Sequence, residues 1–232
     1  MIVSHKHKFI FVKTKKTAGT SVEIALSSIC GPDDIITPIT PADEEYRAEL
    51  NYRSAQNYVI PFSRYNLKDF GRMILQKKRL IFYNHMPAVQ IKRYIGADIW
   101  NSYFKFTIER NPYDKFVSLY YWKGGDEQFG NMTKFIESGV AISGDGKQYY
   151  NIDGKLAVDS VYRFESLDAA MADISQKLNL ETPLELPKKK TKGHTRVNKV
   201  HYSEKLNQTE REWIEKNFSK EIEMFDYQFE QK

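Results

Sequence analysis

The 232-residue chain is long enough for one domain with a full core and a ligand cleft. Hydrophobic residues make up 41% of it and aromatic residues 14%, which excludes a disordered chain. The 35 lysines and arginines exceed the 30 acids by five, which fits an anionic ligand, a membrane surface, nucleic acid or an ordinary basic surface. The single cysteine, Cys30, excludes an internal disulfide and a cysteine-based zinc site.

No segment has the length of a leader-peptide core or of a membrane span. Residues 1–8 are polar and basic, and the apolar run that follows, Phe9–Val12, is too short for either. We therefore expect a cytoplasmic protein, unless a membrane anchor precedes the first strand.

The first half of the chain predicts strand-to-helix units around a less regular segment. Residues 32–80 are interrupted by prolines and are predicted as a mostly helical insertion. The expected helices lie at 21–29, 43–49, 67–76 and 89–95, and the expected strands lie at 9–12 and 80–83.

The second half continues the alternation. Residues 123–148, with six glycines, are predicted as a mobile excursion around one short helix, and Asp153-Gly154 predicts a hairpin turn. The expected strands lie at 103–108 and 158–164, and the expected helices lie at 112–122, 132–137, 167–178 and 203–218. Alternating strands and helices predict an α/β fold with a central, mainly parallel sheet flanked by helices, and a single domain over 1–232.

A polar loop between the first predicted strand and its helix has the composition of an anion site. Gly19 would allow close approach, Thr20 and Ser21 add hydroxyls, and the lysines at 13, 15 and 16 add charge. The pattern is not that of a kinase-type P-loop, because the loop has one glycine and its lysines precede it. A plain strand-to-helix turn with exposed lysines is the alternative interpretation.

Arg110-Asn111-Pro112 stands at a second strand-to-helix junction, about ninety residues later. Proline at the first helical position and asparagine before it are a strong helix start. Arginine suits a phosphate dianion because it is always charged and bonds in a fork. Asn111 and Ser118 are seven residues apart and are therefore expected on one helix face.

His85 lies between these two junctions, after the predicted strand at 80–83. A neutral imidazole near pH 7 is suited to accept a proton from a hydroxyl. A structural or exposed histidine is the alternative.

Two stretches together resemble the superfamily of sulfotransferases that use 3′-phosphoadenosine 5′-phosphosulfate (PAPS). The closest resemblance is to the branch of carbohydrate 2-O-sulfotransferases and their bacterial relatives. The first stretch, Lys16-Thr17-Ala18-Gly19-Thr20-Ser21, is similar to the family's 5′-phosphosulfate loop, although Lys13 and Lys15 replace its usual histidine and proline. The second, from Arg110 to Ser118, is similar to its 3′-phosphate motif, although Glu109 stands where the family usually has an apolar residue.

The resemblance implies a P-loop-like sulfotransferase fold, PAPS as donor, PAP as product, and no metal. It implies donor binding by Lys16, Thr17, Ala18, Gly19, Thr20 and Ser21, and 3′-phosphate contacts by Arg110 and Ser118. It also implies that His85 acts as general base and Lys16 as the cation at the leaving oxygen. In the basic stretch 188–199, Lys192 and Arg196 resemble the family's late segment over the 3′-phosphate. Arg163-Phe164-Glu165-Ser166-Leu167 resembles a segment that we interpret as a fold element.

The acceptor implied by the resemblance is a hydroxyl, and a carbohydrate or glycolipid is the expectation by analogy. The segments 32–80 and 123–150, with Trp122, Tyr149 and Tyr150, are predicted to form the acceptor side. The oligomeric state is not predicted.

Two other functions remain open at this point. A nucleotide-dependent kinase or other NTPase would require magnesium, and no strong Walker-type lysine or metal-binding aspartate stands out. A non-catalytic protein that binds nucleic acid or another anionic polymer could use the basic stretch, but only Tyr202 offers an aromatic ring near it.

Overall fold

The computed structural model describes residues 1–188 and 200–230, which contain seven strands and twelve α-helices. The strands are β1 (Ile2–Ser4), β2 (Phe9–Phe11), β3 (Ile35–Ile36), β4 (Phe104–Glu109), β5 (Asn151–Ile152), β6 (Lys155–Leu156) and β7 (Ser160–Arg163). The helices are α1 (Gly19–Ser27), α2 (Pro41–Glu49), α3 (Leu67–Gln76), α4 (Ala88–Ile95), α5 (Ala97–Ser102), α6 (Pro112–Trp122), α7 (Gly125–Phe129), α8 (Met132–Glu137), α9 (Lys147–Tyr150), α10 (Leu167–Lys177), α11 (Gln208–Asn217) and α12 (Ser219–Phe225). Short 3₁₀ turns occur at Phe62–Arg64, Val140–Gly144, Phe164–Ser166 and Tyr202–Glu204.

Five strands form the central sheet, in the order β3-β1-β2-β4-β7. β2 and β4 are parallel, as are β4 and β7, whereas β1 is antiparallel to both of its neighbours. Four of the five strands therefore point the same way, and the predicted α/β fold with a mainly parallel sheet is confirmed.

Side chains that alternate along the strands pack into two layers of core. Phe9 and Phe11 face the layer that contains α1 and α10, whereas Ile10 and Val12 face the layer that contains α4 and α5. A sheet covered on both faces explains why β2 is apolar at every position. A third cluster joins α6, α8 and α11.

The parallel strands end at one edge of the sheet. β2 leads into the loop before α1, β4 into Arg110-Asn111 before α6, and β7 into the turn before α10. Ligands of open parallel sheets bind at such an edge, outside the carboxyl ends of the strands.

The predicted strand at 80–83 is wrong. Ile81 forms only an isolated bridge with Val59, outside the central sheet. Strand-forming residues are present, but they find only one short partner segment, and a single isolated pairing does not build a sheet.

Residues 123–148 are more helical than predicted. They contain α7, the expected α8, a 3₁₀ turn and the start of α9. The glycines that predicted a loop lie at the ends of these short helices. Gly124, Gly130 and Gly139 have positive φ, a conformation that suits a helix boundary.

The two ends of the chain also differ from prediction. Residues 2–4 form β1 inside the sheet, although the first eight residues read as polar. The last long helix was predicted to begin at Ser203. Residues 202–204 instead form a 3₁₀ turn, and α11 begins after Asn207, whose side chain and that of Glu210 form a capping box.

Candidate functional site

The loop between β2 and α1 is attached along one side to β4. The Val12 amide donates to the Phe106 carbonyl at 2.9 Å, and the Thr14 hydroxyl donates to the Ile108 carbonyl at 2.5 Å. The hydroxyls of Thr14 and Thr17 lie 2.9 Å apart. These buried bonds fix the loop on the neighbouring strand.

That backbone is shaped for an anion. Lys16 and Ala18 have φ of 63° and 55°, the left-handed conformation, and α1 begins directly after Ala18. Alanine offers no side-chain acceptor for the first amides of the helix, which therefore remain a donor set at a positive dipole end. Thr20 is buried and Ser21 is half-buried in this first turn. A phosphate group fits this arrangement of loop and helix amides.

Lys13 does not belong to the ligand side, although the sequence suggested that all three lysines add charge there. Its side chain is buried, and its ammonium lies 2.7 Å from the Glu23 carboxylate. A Cβ on Gly19 would lie 2.8 Å from Lys13 Cγ, so this glycine makes room for the lysine stem. Gly19 thus has a packing role inside the loop, and close approach of a ligand to this glycine stays a prediction.

Lys15 and Lys16 are half-buried and lie beside aromatic rings. Lys15 Nζ is 5.7 Å from the centre of the Tyr149 ring, and Lys16 Nζ is 5.5 Å from that of Trp122. Burial lowers the pKa of Lys15 from its ordinary value. Two of the three aromatic residues predicted on the acceptor side therefore border the loop. The third, Tyr150, is fully buried.

Arg110 connects the second junction to the first. Its guanidinium donates to the Lys16 carbonyl at 3.0 Å and to the Asp114 carboxylate through two nitrogens, and it stacks 4.2 Å above the Phe164 ring. Asp114 was not predicted as part of the site, although an arginine and an aspartate four residues apart on a helix commonly form an ion pair.

The start of α6 is as predicted. The Asn111 side chain accepts a hydrogen bond from the Tyr113 backbone amide at 3.0 Å, and the Asn111 backbone amide donates to the Glu165 carboxylate at 2.7 Å. Glu165 also accepts from the Tyr227 hydroxyl, so the segment at 163–167 braces this junction. Ser118 is half-buried farther along the helix.

Glu109 is a buried ion-pair partner. Its carboxylate accepts from Lys115 Nζ at 2.6 Å and from the Arg110 amide at 2.9 Å. The ion pair with Lys115 explains how an acid can stand at the end of β4, where the resembled family usually has an apolar residue.

His85 lies against the same loop. Its Nδ1 is 3.2 Å from the Lys13 carbonyl, and its ring centre is 6.1 Å from that of Tyr149. A carbonyl only accepts, so Nδ1 carries the proton and Nε2 keeps a lone pair. Burial, together with the charge of Lys13, lowers the pKa of His85 to about 3, and the imidazole is therefore neutral at pH 7.

The loop thus brings together Lys16, Arg110 and His85 through hydrogen bonds to the carbonyls of Lys13 and Lys16. The predicted Lys192 and Arg196 lie outside the described residues. Within residues 1–188 and 200–230, no cluster of three or more histidine, cysteine or acidic side chains could hold a metal ion. No helix in the same residues is long and apolar enough to cross a membrane.

Comparisons with known proteins place the chain in a family. The sequence model of a family described as "Sulfotransferase family" matches residues 1–141, a range that contains the loop, His85 and Arg110. An "Uncharacterized protein" of Archaeoglobus fulgidus is 29% identical over 106 residues, which cover 44% of this chain and 88% of the relative. No solved structure matches the chain.

Proposed function

Because the chain belongs to the sulfotransferase family, we propose that it transfers a sulfuryl group from PAPS to the hydroxyl of a carbohydrate or glycolipid. The observation behind this proposal is the loop after β2, which holds Arg110 through the Lys16 carbonyl and His85 through the Lys13 carbonyl. One short segment thus contacts both the arginine and the neutral histidine and also contains the lysine of the proposed site.

The loop and the start of α1 bind the donor in this proposal. Amides of Thr17, Ala18, Gly19, Thr20 and Ser21, with the hydroxyls of this segment, would hold the 5′-phosphosulfate. Arg110 and Ser118 would hold the 3′-phosphate, with Lys192 and Arg196 from the basic stretch. Positioning and fixed charge then supply most of the rate enhancement.

The transfer itself is a single in-line displacement. The acceptor oxygen forms a bond to sulfur while the bond from sulfur to the bridging oxygen of PAPS breaks, and PAP leaves with the electron pair. Nε2 of His85 accepts the acceptor's proton, and the Lys16 ammonium stabilises the charge that grows on the bridging oxygen. No covalent enzyme intermediate and no metal take part.

A calorimetric titration with PAP, with and without magnesium, tests the donor site. We expect micromolar binding that does not require magnesium and that Lys16→Ala and Arg110→Ala abolish. Lys16→Ala should also lower sulfuryl transfer from PAPS on the order of 100-fold or more, the usual effect of removing one charge-stabilising group.

Lys220→Ala is the matched control, because Lys220 is an exposed lysine on α12. It should bind PAP like the wild-type protein. Binding of ATP with magnesium in place of PAP would contradict the proposal and favour an NTPase.

A further inference from the structure

Helix α3 presents an apolar face to solvent. Leu67, Ile74 and Leu75 keep 90%, 72% and 84% of their surface exposed, and their spacing of i, i+7 and i+8 puts them on one side of the helix. We call these three residues the α3 face. A surface helix of a soluble protein normally turns such a face toward the core.

The helix is fixed in this orientation from its other side. Asp69 is buried and forms an ion pair with Arg93 of α4. It also completes a capping box with Asn66 at the start of the helix. The acidic residue thus faces inward and the large apolar residues face outward, the reverse of the usual pattern.

Neighbouring apolar side chains extend the α3 face. Phe70 is itself exposed and stacks on Phe62 with ring centres 6.2 Å apart. Val59 and Ile81, which form the isolated bridge, are exposed as well. The apolar surface therefore runs from α3 across residues 59–62 to the segment before His85.

The charge around this surface is strongly positive. Residues 62–79 contain six lysines and arginines and a single acid, Asp69, which is buried in its ion pair. This net charge of +5 equals that of the whole 232-residue chain. All the basic residues of the segment, including Lys77 and Lys78, are exposed around the apolar residues.

We propose that the α3 face docks on an anionic lipid bilayer. An interfacial helix inserts an apolar face below the headgroups while its lysines and arginines contact anionic lipids. With ten residues α3 is about 15 Å long, which suits lying in the interface and not crossing it. A second copy of the chain fits less well, because it would oppose the same positive charge.

The docked orientation places the site beside the bilayer. Ile81 is four residues from His85, so their Cα atoms are at most about 14 Å apart. If the proposed function holds, the acceptor hydroxyl belongs to a lipid headgroup or lipid-linked sugar presented at that surface.

Vesicle flotation without any nucleotide tests the docking surface. The wild-type protein should float with phosphatidylcholine vesicles that contain phosphatidylglycerol, and binding should weaken as salt screens the lysines. Substituting Leu67→Ser, Ile74→Ser and Leu75→Ser together should lower partitioning about tenfold or more. Lys77→Glu with Lys78→Glu should do the same on anionic vesicles.

The matched control is Ile142→Ser, Leu156→Ser and Met224→Ser together, which replaces three exposed apolar residues outside this surface. It should bind vesicles like the wild-type protein. Wild-type protein that stays unbound, or a triple α3 variant that floats like the wild type, would overturn the proposal. PAP calorimetry on every variant checks folding. It also separates a failure of docking from a failure of the donor site, since the vesicle assay needs no PAPS.

Discussion

Lys16 and His85, the two residues proposed to act on the reacting atoms, share an unusual backbone. Their φ angles are 63° and 62°, a left-handed conformation that costs a residue with a side chain about 1–2 kcal/mol. Each is held there by a neighbour, since the Lys16 carbonyl accepts from Arg110 and the His85 ring donates to Lys13. Such strain persists only where the surroundings determine it, and it is common at functional sites.

His85 should remain neutral far below the ordinary histidine range. Burial and the nearby charge of Lys13 lower its pKa to about 3 in the free protein. We therefore expect the Cε1–H chemical shift of His85, assigned by comparison with His85→Gln, to show no titration between pH 8 and pH 5. Added PAP should raise the pKa, because its phosphates offset the positive charge of the loop.

The same resonance in urea is the reference, where an unfolded histidine titrates near pH 6.5. A folded-state inflection between pH 6 and pH 7 would show that the ring is solvated. It would contradict the interpretation that burial keeps Nε2 unprotonated at neutral pH.

At the scale of elements, the sequence predicted best where local signals and packing agree. α3 and α6 match their predicted ranges at 67–76 and 112–122, because a capping asparagine precedes each. The strand predicted at 80–83 failed because pairing depends on a partner that a local pattern does not reveal. β1 was missed because Ile2–Ser4 is only three residues long and is followed by basic residues, so the segment does not resemble a buried strand.

The site was predictable to a similar degree. The loop, Arg110 and His85 could be found from motifs, and the structure brings all three together. The inward turn of Lys13 could not, because its partner Glu23 lies ten residues away on the buried side of α1. A motif gives the residue type, whereas tertiary packing decides which lysine meets solvent.

Gly146, the residue before α9, should tolerate no side chain. An added Cβ would lie 1.9 Å from Glu109 Oε2 and 2.9 Å from Tyr150 Cε1, both inside the buried cluster next to β4. The backbone at Gly146 is ordinary helical, so the conflict is one of space alone. Gly146→Ala should lower the free energy of unfolding by about 3 kcal/mol, measured by urea denaturation.

Gly71→Ala is the matched control, since a Cβ there meets no atom within 4 Å. Alanine inside α3 should leave stability unchanged or raise it by about 0.5–1 kcal/mol. A Gly146→Ala protein as stable as the wild type would show that Glu109 and Tyr150 move aside easily, and would contradict this prediction.

Two buried acids give the whole molecule opposite responses to pH. Burial alone would raise the pKa of Glu23, but the charges of Lys13, the Met1 ammonium and Arg47 lower it to about 2. Stability from Glu23 is therefore fully present above pH 4.5 and is lost as the pH falls toward 2. Burial and the charge of Glu109 raise the pKa of Glu221 to about 7, against the opposing charge of Lys147.

Glu221 should therefore destabilise the protein as the pH rises through neutrality. Between pH 4.5, its ordinary value, and about 7 the folded protein holds a proton that the unfolded chain has released. Stability falls across that window, by about 3 kcal/mol for a shift of this size, and levels off above it. Glu221→Gln, which cannot ionise, should gain stability relative to the wild type as the pH rises from 5 to 8.

Urea midpoints of both proteins at pH 5, 6, 7 and 8 measure this difference directly, because other titrating groups cancel in the comparison. Glu223→Gln, two residues later on the exposed side of α12, is the control and should follow the wild-type curve. If the Glu221→Gln and wild-type curves stay parallel, Lys147, 3.1 Å away, keeps Glu221 ionised throughout. The buried charges at the end of β4 would then be balanced from pH 5 to pH 8.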